Sequence, residues 1–404
     1  MNILFLSEIF YPNGGGAEFA TYLYSNHLNI SGFDVAVLTN RFAEEPQFSR
    51  HKNLKIVRLP LFKGTDSFKY SILKRFDVLF SSYMRKMIKW ADVVYIPRYW
   101  YSAIPLAKAY RKPVIIHLHD YIPICPLSNT YDMTQKTICN RKNLLCPPRC
   151  IYAYEKSQGR GFTEALTSVA LNSTFGRYFG KFVNFSDAVI CVSKVQRDMI
   201  TKYAPSLRNK THVIYNPIPE LSSPEIENDD FGYFGGPNRL KGFNTLYQAM
   251  KRLKQINGEP TRVQATKFSN SSQLFESLRS LGFSLHGKLN EDQYEKLYGQ
   301  IRAVLVPSVW QEPWPYVVIE AILRGRFVVA SRIGGIPEQV KGCEGVSLFE
   351  PGNPKMLAEA IEFTKNLTRE NITELGLQSR ETFLKRFDNE TAIERFTSIC
   401  ERLT

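Results

Sequence analysis

Short apolar runs that predict β-strands alternate with helical patterns along this chain, and the whole alternation occurs twice. In the first half the strand candidates are residues 2–7, 35–38, 55–59, 93–96, 114–117 and 188–192. In the second half they are residues 231–236, 262–265, 284–286, 303–306, 327–330 and 346–349. Strands that alternate with helices pair in parallel, because each crossover helix returns the chain to the same edge of the sheet. The sequence therefore predicts an α/β fold with two doubly wound parallel sheets.

A polar, proline-containing segment, residues 216–230, separates the two series of strands. A chain of 404 residues is too long for one ordinary core. We therefore expect an N-terminal domain over residues 1–219 and a second domain over residues 220–380. Residues 371–403 read as helical throughout, and residues 381–404 are expected to form a helix that packs back on the first domain.

The net charge of +14 comes entirely from the first half of the chain. Residues 1–219 hold 29 Lys and Arg against 14 Asp and Glu, whereas residues 220–404 hold 23 against 24. This asymmetry points to an anionic membrane surface or a nucleic acid as a partner of the first half, or to basic faces that only aid solubility. No helix-turn-helix, zinc-finger or ribonucleoprotein motif is present, so no nucleic-acid partner is expected.

The location predicted from the sequence is the cytoplasm, with peripheral contact at the membrane. No run of 18 uncharged apolar residues occurs, and the first residues lack the basic and apolar regions of an export signal. Residues 67–90 predict a basic amphipathic helix, since apolar side chains recur there at steps of three or four with six Lys and Arg between them. Such a stripe is typical of a membrane-surface helix, and equally of an ordinary helix that covers a sheet.

Two glutamates eight residues apart, Glu312 and Glu320, bracket a loop that turns into a helix. If that helix starts at Tyr316 or Val317, Glu312 lies in the loop and Glu320 lies about one turn inside the helix, so both can face one cleft. Carboxylates suit sugars, because each accepts hydrogen bonds from two hydroxyls at once.

The order of the motifs resembles family 4 of the retaining GT-B glycosyltransferases. The hallmark is the pair Glu312 and Glu320, placed after Pro-Ser and before an apolar strand. Further matches cover nearly the whole chain, and they are the Gly-Gly-x-Glu loop in residues 12–18, His119-Asp120, Val192-Ser193, Asn216-Pro217, Gly235-Gly236, Lys241-Gly242, Gly287, Pro307-Ser308 and Gly334-Gly335. The resemblance implies two Rossmann-like domains that face each other across a cleft.

The resemblance also implies roles on the donor side. Glu312 would contact the transferred sugar, Glu320 the ribose of the nucleotide, and Lys241 the diphosphate. A leaving nucleoside diphosphate gains negative charge, which a lysine beside a helix N-terminus can stabilise. The other residues expected on the donor side are Gly15, Gly16, Arg239, Gly334 and Gly335.

On the acceptor side, His119 and Asp120 follow the strand 114–117, at the edge where open α/β sheets bind ligands. Members of the family place this histidine beside the anomeric carbon, so His119 is expected to be catalytic. His117 points to the other side of the strand and is expected to be structural. Glu18, at the opening of the first helix, is the second acceptor-side residue with Asp120.

Two positions depart from the pattern of the family. Six residues before Lys241 the family usually has an arginine, and this chain has Gly235. Arg239 either substitutes for it or faces solvent beside the loop. Pro315 stands where many relatives have glycine, which removes one backbone N–H that could donate to the sugar.

Four of the seven cysteines cluster at positions 125, 139, 146 and 150. Their spacings of 14, 7 and 4 differ from the usual metal-binding pairs, so Cys125, Cys139, Cys146 and Cys150 read either as a zinc site or as reduced thiols in a loop. No cofactor and no metal are expected for the reaction.

The function predicted from the sequence is transfer of a hexose from a nucleotide-diphosphate sugar to a glycan or a lipid-linked acceptor, with retention at the anomeric carbon. A sugar-nucleotide epimerase, a phosphorylase and a basic nucleic-acid-binding protein are the alternatives. The base and sugar of the donor, and the acceptor, cannot be read from these residues.

Overall fold

The computed structural model describes residues 1–42, 45–51, 54–61, 76, 78–140, 146–268 and 272–404. These residues form two compact units. Unit 1 comprises Met1–Ile218 together with Asp388–Thr404, and unit 2 comprises Pro219–Phe387. Both units are built on parallel sheets between helices, so the predicted α/β class is confirmed.

The sheet of unit 1 has the strand order β10-β9-β6-β5-β1-β2-β4-β3 within the described residues. Neighbouring strands run parallel except for the edge strand β3, and β7 and β8 form a separate antiparallel pair. The strands are β1 (Asn2–Leu6), β2 (Asp34–Asn40), β3 (Phe48–His51), β4 (Leu54–Leu59), β5 (Val93–Ile96), β6 (Val114–Leu118), β7 (Tyr131–Asp132), β8 (Thr137–Ile138), β9 (Ala188–Cys191) and β10 (Thr211–Val213).

The helices of unit 1 are α1 (Gly16–Ile30), α2 (Ser82–Trp90), α3 (Ala103–Ala109), α4 (Pro148–Ser157), α5 (Phe162–Leu171), α6 (Arg177–Phe179), α7 (Lys194–Tyr203) and α15 (Asn389–Leu403), with α8 to α14 in unit 2. Short helical turns join them at Trp100–Ser102, Asn172–Gly176, Gly180–Phe185 and Pro205–Lys210. The core holds apolar residues of the central strands, α1 and α15.

The expected helix over residues 67–90 is wrong as a single element. The described part begins only at Ser82, because Ser81 has an extended backbone and its side chain caps the helix by accepting a hydrogen bond from the N–H of Met84. Residues 67–75 and 77 lie outside the described residues. In α2 the apolar Met84 and Ile88 are fully buried, while the basic residues face outward. The buried face of α2 is therefore formed by Met84 and Ile88, whereas Tyr83, Met87 and Trp90, the predicted apolar stripe, are only half-buried.

The helical stretch predicted over residues 371–403 is two helices. The first ends at Arg386, and Asp388 caps the second by accepting a hydrogen bond from the N–H of Thr391. The terminal helix thus begins at Asn389 and not at 381. The ring of Phe396 packs against Tyr24 and Tyr95, with ring centroids 5.6 and 5.4 Å away.

The chain leaves and re-enters unit 1 at adjacent points. Ile218, the last residue before unit 2, donates its N–H to the side chain of Asn389 at 2.7 Å, and its carbonyl accepts from the same side chain at 3.0 Å. Unit 1 is therefore assembled from two separate stretches of the sequence.

The sheet of unit 2 is parallel throughout, with the order β13-β12-β11-β14-β15-β16. The strands are β11 (Asp230–Tyr233), β12 (Val263–Ala265), β13 (Phe283–Leu285), β14 (Ile301–Val306), β15 (Phe327–Ser331) and β16 (Val346–Phe349). The helices are α8 (Phe243–Asn257), α9 (Ser272–Arg279), α10 (Glu291–Gln300), α11 (Tyr316–Leu323), α12 (Ile336–Gln339), α13 (Pro354–Asn366) and α14 (Arg369–Arg386). None of the described helices is both long and apolar enough to cross a membrane.

Candidate active site

Among the parallel strands of the large sheet in each unit, the strand order reverses direction at one point. In unit 1 it lies between β1 and β5, and in unit 2 between β11 and β14. Crossover connections diverge there, so the carboxyl ends of the two strands leave a crevice in which open α/β sheets bind ligands. Most of the polar residues singled out from the sequence lie in the loops that follow these strands or their neighbours.

In unit 2 the loop after β11 packs directly on the loop after β14. The N–H of Val309 donates to the carbonyl of Leu240 at 2.9 Å. Gly242 caps α8 with a left-handed backbone, φ 77°, and a Cβ at this position would lie 1.7 Å from the carbonyl oxygen of Pro307. Only glycine permits this approach, which brings Lys241 close to Glu312.

Glu312 is buried, and one of its carboxylate oxygens collects three donors. Oε1 accepts from the ammonium group of Lys241 at 2.6 Å, from the hydroxyl of Ser308 at 2.7 Å and from the indole N–H of Trp310 at 2.8 Å. Among the described residues, Oε2 accepts no hydrogen bond. The carboxylate is thus held rigidly by one oxygen, and the other can accept from a ligand.

The glycine pair 334-335 fixes the backbone of Glu312. The N–H of Gly335 donates to the carbonyl of Glu312 at 2.7 Å, and a Cβ on Gly334 would lie 2.2 Å from that same oxygen. Gly334 has a φ of 56°. Both glycines therefore place the glutamate, and their contact with the donor stays a prediction.

Glu320 lies on α11, and its Oε2 accepts from the hydroxyl of Tyr294 at 3.3 Å. Burial raises the pKa of Glu320, although Arg324 and this hydrogen bond act in the opposite direction. Pro315 is the N-cap residue of α11, and its carbonyl accepts from the side chain of Gln339 at 3.3 Å.

In unit 1 both carboxylate oxygens of Glu18 are already engaged. Oε2 accepts from the N–H of Gly15 at 2.6 Å. Gly15 is the N-cap residue of α1, which begins at Gly16. Oε1 pairs with the guanidinium of Arg98. Burial would raise the pKa of Glu18, but Arg98 and the backbone hydrogen bond outweigh it, so the pKa lies below its usual value. Glu18 therefore shapes the glycine loop and holds Arg98.

Glu8 and Arg98 were not predicted as site residues from the sequence, and the structure brings both to the reversal point of unit 1. Glu8 follows β1 and is fully buried, and Arg98 follows β5 with its Nε 3.8 Å from Glu8. Neither carboxylate oxygen of Glu8 has a hydrogen-bond partner among the described residues. Burial raises the pKa of Glu8 to about 7, with Glu18 and Asp120 adding to the effect and Arg98 opposing it.

We expect Glu8→Gln to stabilise the protein at pH 8 and to change little at pH 4.5. The folded-state pKa of about 7 lies above the value of 4.5 for an unperturbed glutamate, so ionising Glu8 costs the folded state free energy as the pH rises from about 4.5 through 7. The full cost is about 3 kcal/mol, since a pKa difference of one corresponds to about 1.4 kcal/mol. The measurement is the melting temperature of variant and wild type across this range.

The exposed Glu394 on α15 offers a matched control, because Glu394→Gln removes a carboxylate that stands in water. A difference between Glu8→Gln and wild type that stays constant from pH 4.5 to 8 would contradict the assignment.

His119 and Asp120 directly follow β6, next to β5. The ring of His119 stacks on that of His117 with centroids 4.4 Å apart, so the two rings lie on the same side and the expectation that His117 points to the other side of the strand is wrong. Nδ1 of His117 lies 2.7 Å from the hydroxyl of Tyr95. Burial and the nearby Arg98 lower the pKa of His119 to about 3, so its ring is neutral. Its Nε2 has no hydrogen-bond partner among the described residues, whereas Asp120 accepts from the N–H of Ile122.

All seven cysteines are free thiols. Cys125, Cys146 and Cys150 are buried and Cys139 is partly exposed. The thiol of Cys150 accepts from the N–H of Met133 at 3.4 Å. Within the described residues no group of three or more His, Cys, Asp or Glu side chains is arranged to hold a metal ion.

Family comparisons match both units. Residues 14–220, just over half of the chain, match the family described as Glycosyltransferase Family 4, and residues 228–364 match the family described as Glycosyl transferases group 1.

Among individual relatives, an uncharacterised 42.6 kDa protein of the cps region of Klebsiella pneumoniae is 24% identical over 84% of this chain and 87% of its own length. A glycogen synthase of Mycobacterium tuberculosis is 27% identical over 62% of this chain and 59% of its own length. The lipopolysaccharide 1,2-N-acetylglucosaminetransferase of Salmonella typhimurium is 25% identical over 41% of this chain and 46% of its own length.

Solved structures show the same fold at low identity. The sucrose-phosphate synthase of Thermosynechococcus elongatus has a TM-score of 0.72 at 16% identity, covering 100% of this chain and 98% of that one. HepE of Anabaena, solved in complex with UDP, has a TM-score of 0.63 at 18% identity, covering 100% of both chains. These neighbours confirm the predicted GT-B fold.

Proposed function

This chain belongs to the family 4 and group 1 glycosyltransferases, and from that premise we propose that it moves a hexose from a nucleotide-diphosphate sugar to a glycan or a lipid-linked acceptor. The observation that carries the proposal is the buried Glu312, whose Oε1 is held by Lys241, Ser308 and Trp310. Its unpartnered oxygen suits a sugar hydroxyl, and the neighbouring ammonium group suits a phosphate. The complex of HepE with UDP agrees with a nucleotide donor.

We propose that the donor binds to unit 2 and the acceptor to unit 1. In this proposal Glu312 orients the sugar, Glu320 accepts hydrogen bonds from the ribose, and Lys241 with the N-terminus of α8 stabilises the charge of the leaving diphosphate. His119, neutral and partly buried, would lie beside the reacting carbon.

The reaction would proceed with retention and without a metal ion. The acceptor oxygen bonds to the anomeric carbon on the side from which the phosphate departs, the bond from that carbon to the phosphate oxygen breaks, and the proton of the acceptor passes to the departing phosphate. Orientation and charge, rather than a strong base, would lower the barrier.

The decisive experiment is a thermal-shift screen of UDP, GDP, ADP and their sugars. A ligand that binds only the folded protein raises its melting temperature, so the correct nucleotide should stand out from the other two. Product analysis with the selected sugar nucleotide then identifies the chemistry. An isomerised sugar nucleotide formed without any acceptor, or sugar release by inorganic phosphate, would contradict glycosyl transfer.

We also propose that unit 1 works at an anionic membrane surface on the cytoplasmic side. The basic first half supports this, as does the outward basic face of α2, where Arg85, Lys86 and Lys89 are exposed. Met84 and Ile88 of α2 are buried and Tyr83, Met87 and Trp90 are half-buried, so the exposed face of this helix is mainly charged. Exposed aromatic side chains are found instead in residues 162–185, where Phe162, Phe175, Tyr178 and Phe185 are each about 60% exposed.

The variant Lys86→Glu/Lys89→Glu should bind anionic liposomes roughly 30-fold more weakly than wild type, because each of the two cations lost near an anionic leaflet contributes about 1 kcal/mol. Co-sedimentation with neutral and anionic liposomes, at low and high salt, measures this. The control is Lys355→Glu/Lys385→Glu, two lysines of unit 2 whose side chains are 65% and 71% exposed. Equal, negligible binding of wild type to both liposomes would favour a soluble acceptor.

A further inference from the structure

One cation expected for the diphosphate is absent from the loop after β11. Gly235 stands where the resemblance would place an arginine, and the structure shows why a side chain does not fit. A Cβ on Gly235 would lie 2.4 Å from the hydroxyl of Tyr233 and 2.9 Å from the Cβ of Lys241. That hydroxyl donates to the carbonyl of Gly236 at 2.9 Å, so it cannot move freely. A second positive charge for the diphosphate must therefore come from another position.

Lys267 lies next to this loop, although it is far away in the sequence. It follows β12, the neighbour of β11, and the N–H of Thr266 donates to the carbonyl of Tyr233 at 3.0 Å. A Cβ on Gly236 would lie 3.2 Å from the Cβ of Lys267. The two backbones are therefore adjacent, and the lysine side chain starts from the edge of the glycine loop.

The backbone of Lys267 has a left-handed conformation, with a φ of 67°. This conformation favours glycine, and for a lysine it costs about 1 kcal/mol. The N–H of Lys267 donates to the carbonyl of Gly287 at 3.0 Å, which holds the strained backbone in place. Strained residues cluster at functional sites, so a strained lysine at the carboxyl edge of the sheet indicates that its side chain contributes to ligand binding.

The charges around Lys267 favour an anion. Desolvation and the ammonium group of Lys241 lower the pKa of Lys267, Glu320 raises it, and Lys288 lowers it further. Lys241 and Lys288 thus both act on Lys267, whose side chain is exposed to solvent, and Glu320 is the one carboxylate among the groups that act on it. Within the described part of the chain, no carboxylate forms an ion pair with Lys267. Cations that repel each other in this way are stabilised when a diphosphate binds.

We propose that Lys267 is the second phosphate-binding cation of unit 2 and takes the place of the arginine that is absent at position 235. The inference rests on the proposed donor and adds a residue to its site. Lys241 would hold one phosphate from the start of α8, and Lys267 would reach the diphosphate from the end of β12.

The test is isothermal titration calorimetry with UDP, GDP and ADP and with the matching nucleosides. For the diphosphate that wild type binds, Lys267→Gln should weaken affinity about 10-fold or more and leave the affinity for the nucleoside unchanged. Lys251→Gln, an exposed lysine of α8, is the matched control and should bind as wild type does. Lys267→Gly should lose the same affinity while its melting temperature stays equal or rises, because glycine relieves the backbone strain.

The outcomes separate this inference from the proposed function. If wild type binds none of the three diphosphates, the proposed donor itself is wrong. If wild type binds one of them and Lys267→Gln binds it as tightly as Lys251→Gln does, the role of Lys267 is wrong and the proposed function stands. An equal loss for diphosphate and nucleoside, or a lower melting temperature of Lys267→Gly, would assign Lys267 a structural role.

Discussion

Replacing Glu312 by glutamine is expected to lower turnover about 100-fold or more, which corresponds to roughly 2.7 kcal/mol of transition-state stabilisation. Oε1 of Glu312 accepts from Lys241, Ser308 and Trp310, and an amide oxygen can keep these hydrogen bonds. Glutamine cannot keep the negative charge. In wild type this charge pairs with Lys241 and stabilises the positive charge that develops on the transferred sugar. The loss should therefore appear in kcat more than in KM.

Release of the nucleoside diphosphate from the donor selected by the thermal screen measures this turnover. Glu350→Gln is the control, since this glutamate of unit 2 is 61% exposed and its nearest cation, Arg332, is 3.9 Å away. The melting temperature of both variants checks that unit 2 stays folded. Glu312→Gln with turnover near that of wild type would exclude Glu312 from the reaction.

The second large effect is expected for Gly242→Ala. The added methyl group would overlap the carbonyl of Pro307, 1.7 Å from its oxygen, and the left-handed backbone adds its own cost. Overpacking of this kind costs about 1–3 kcal/mol and the backbone about 1–2 kcal/mol. Because the loop after β11 must then separate from the loop after β14, affinity for the nucleoside diphosphate should fall together with stability.

Gly258, at the other end of α8, provides a close control. Its φ of 76° is close to the 77° of Gly242, although its ψ is −35° and that of Gly242 is 22°, and a Cβ there would meet no atom within 4 Å. Gly258→Ala should therefore show the backbone cost alone and bind the nucleotide normally. Calorimetric melting compares the two variants, and a Gly242→Ala protein that melts no lower than Gly258→Ala would contradict a costly contact with Pro307.

Strands with strongly apolar sequences could be predicted from the chain, and polar ones could not. The bounds of β5 (Val93–Ile96) and β16 (Val346–Phe349) agree with the predicted ones to the residue. The strands that were missed, β3, β7, β8 and β10, have two to four residues and lie at a sheet edge or in a separate pair. Their hydrogen bonds depend on neighbours distant in sequence, and local periodicity carries no sign of them.

The candidate site shows the same division. Lys241 and Glu312 could be singled out separately, but the hydrogen bond that joins them depends on packing of two loops 71 residues apart. Glu8 could have been found by the rule that selected His119, since it also comes directly after a buried strand. Lys267 also follows a strand, β12, but its left-handed backbone cannot be recognised from the residue type.

Because α15 completes the core of unit 1 and follows unit 2 in the sequence, unit 1 cannot be completed until unit 2 has been synthesised. While unit 2 leaves the ribosome, the rings of Tyr24 and Tyr95 have no Phe396 to cover them. During this interval unit 1 exposes apolar surface of the kind that chaperones bind. The two hydrogen bonds between Ile218 and Asn389 then close the unit, so its folding waits for a helix that follows unit 2 in the chain.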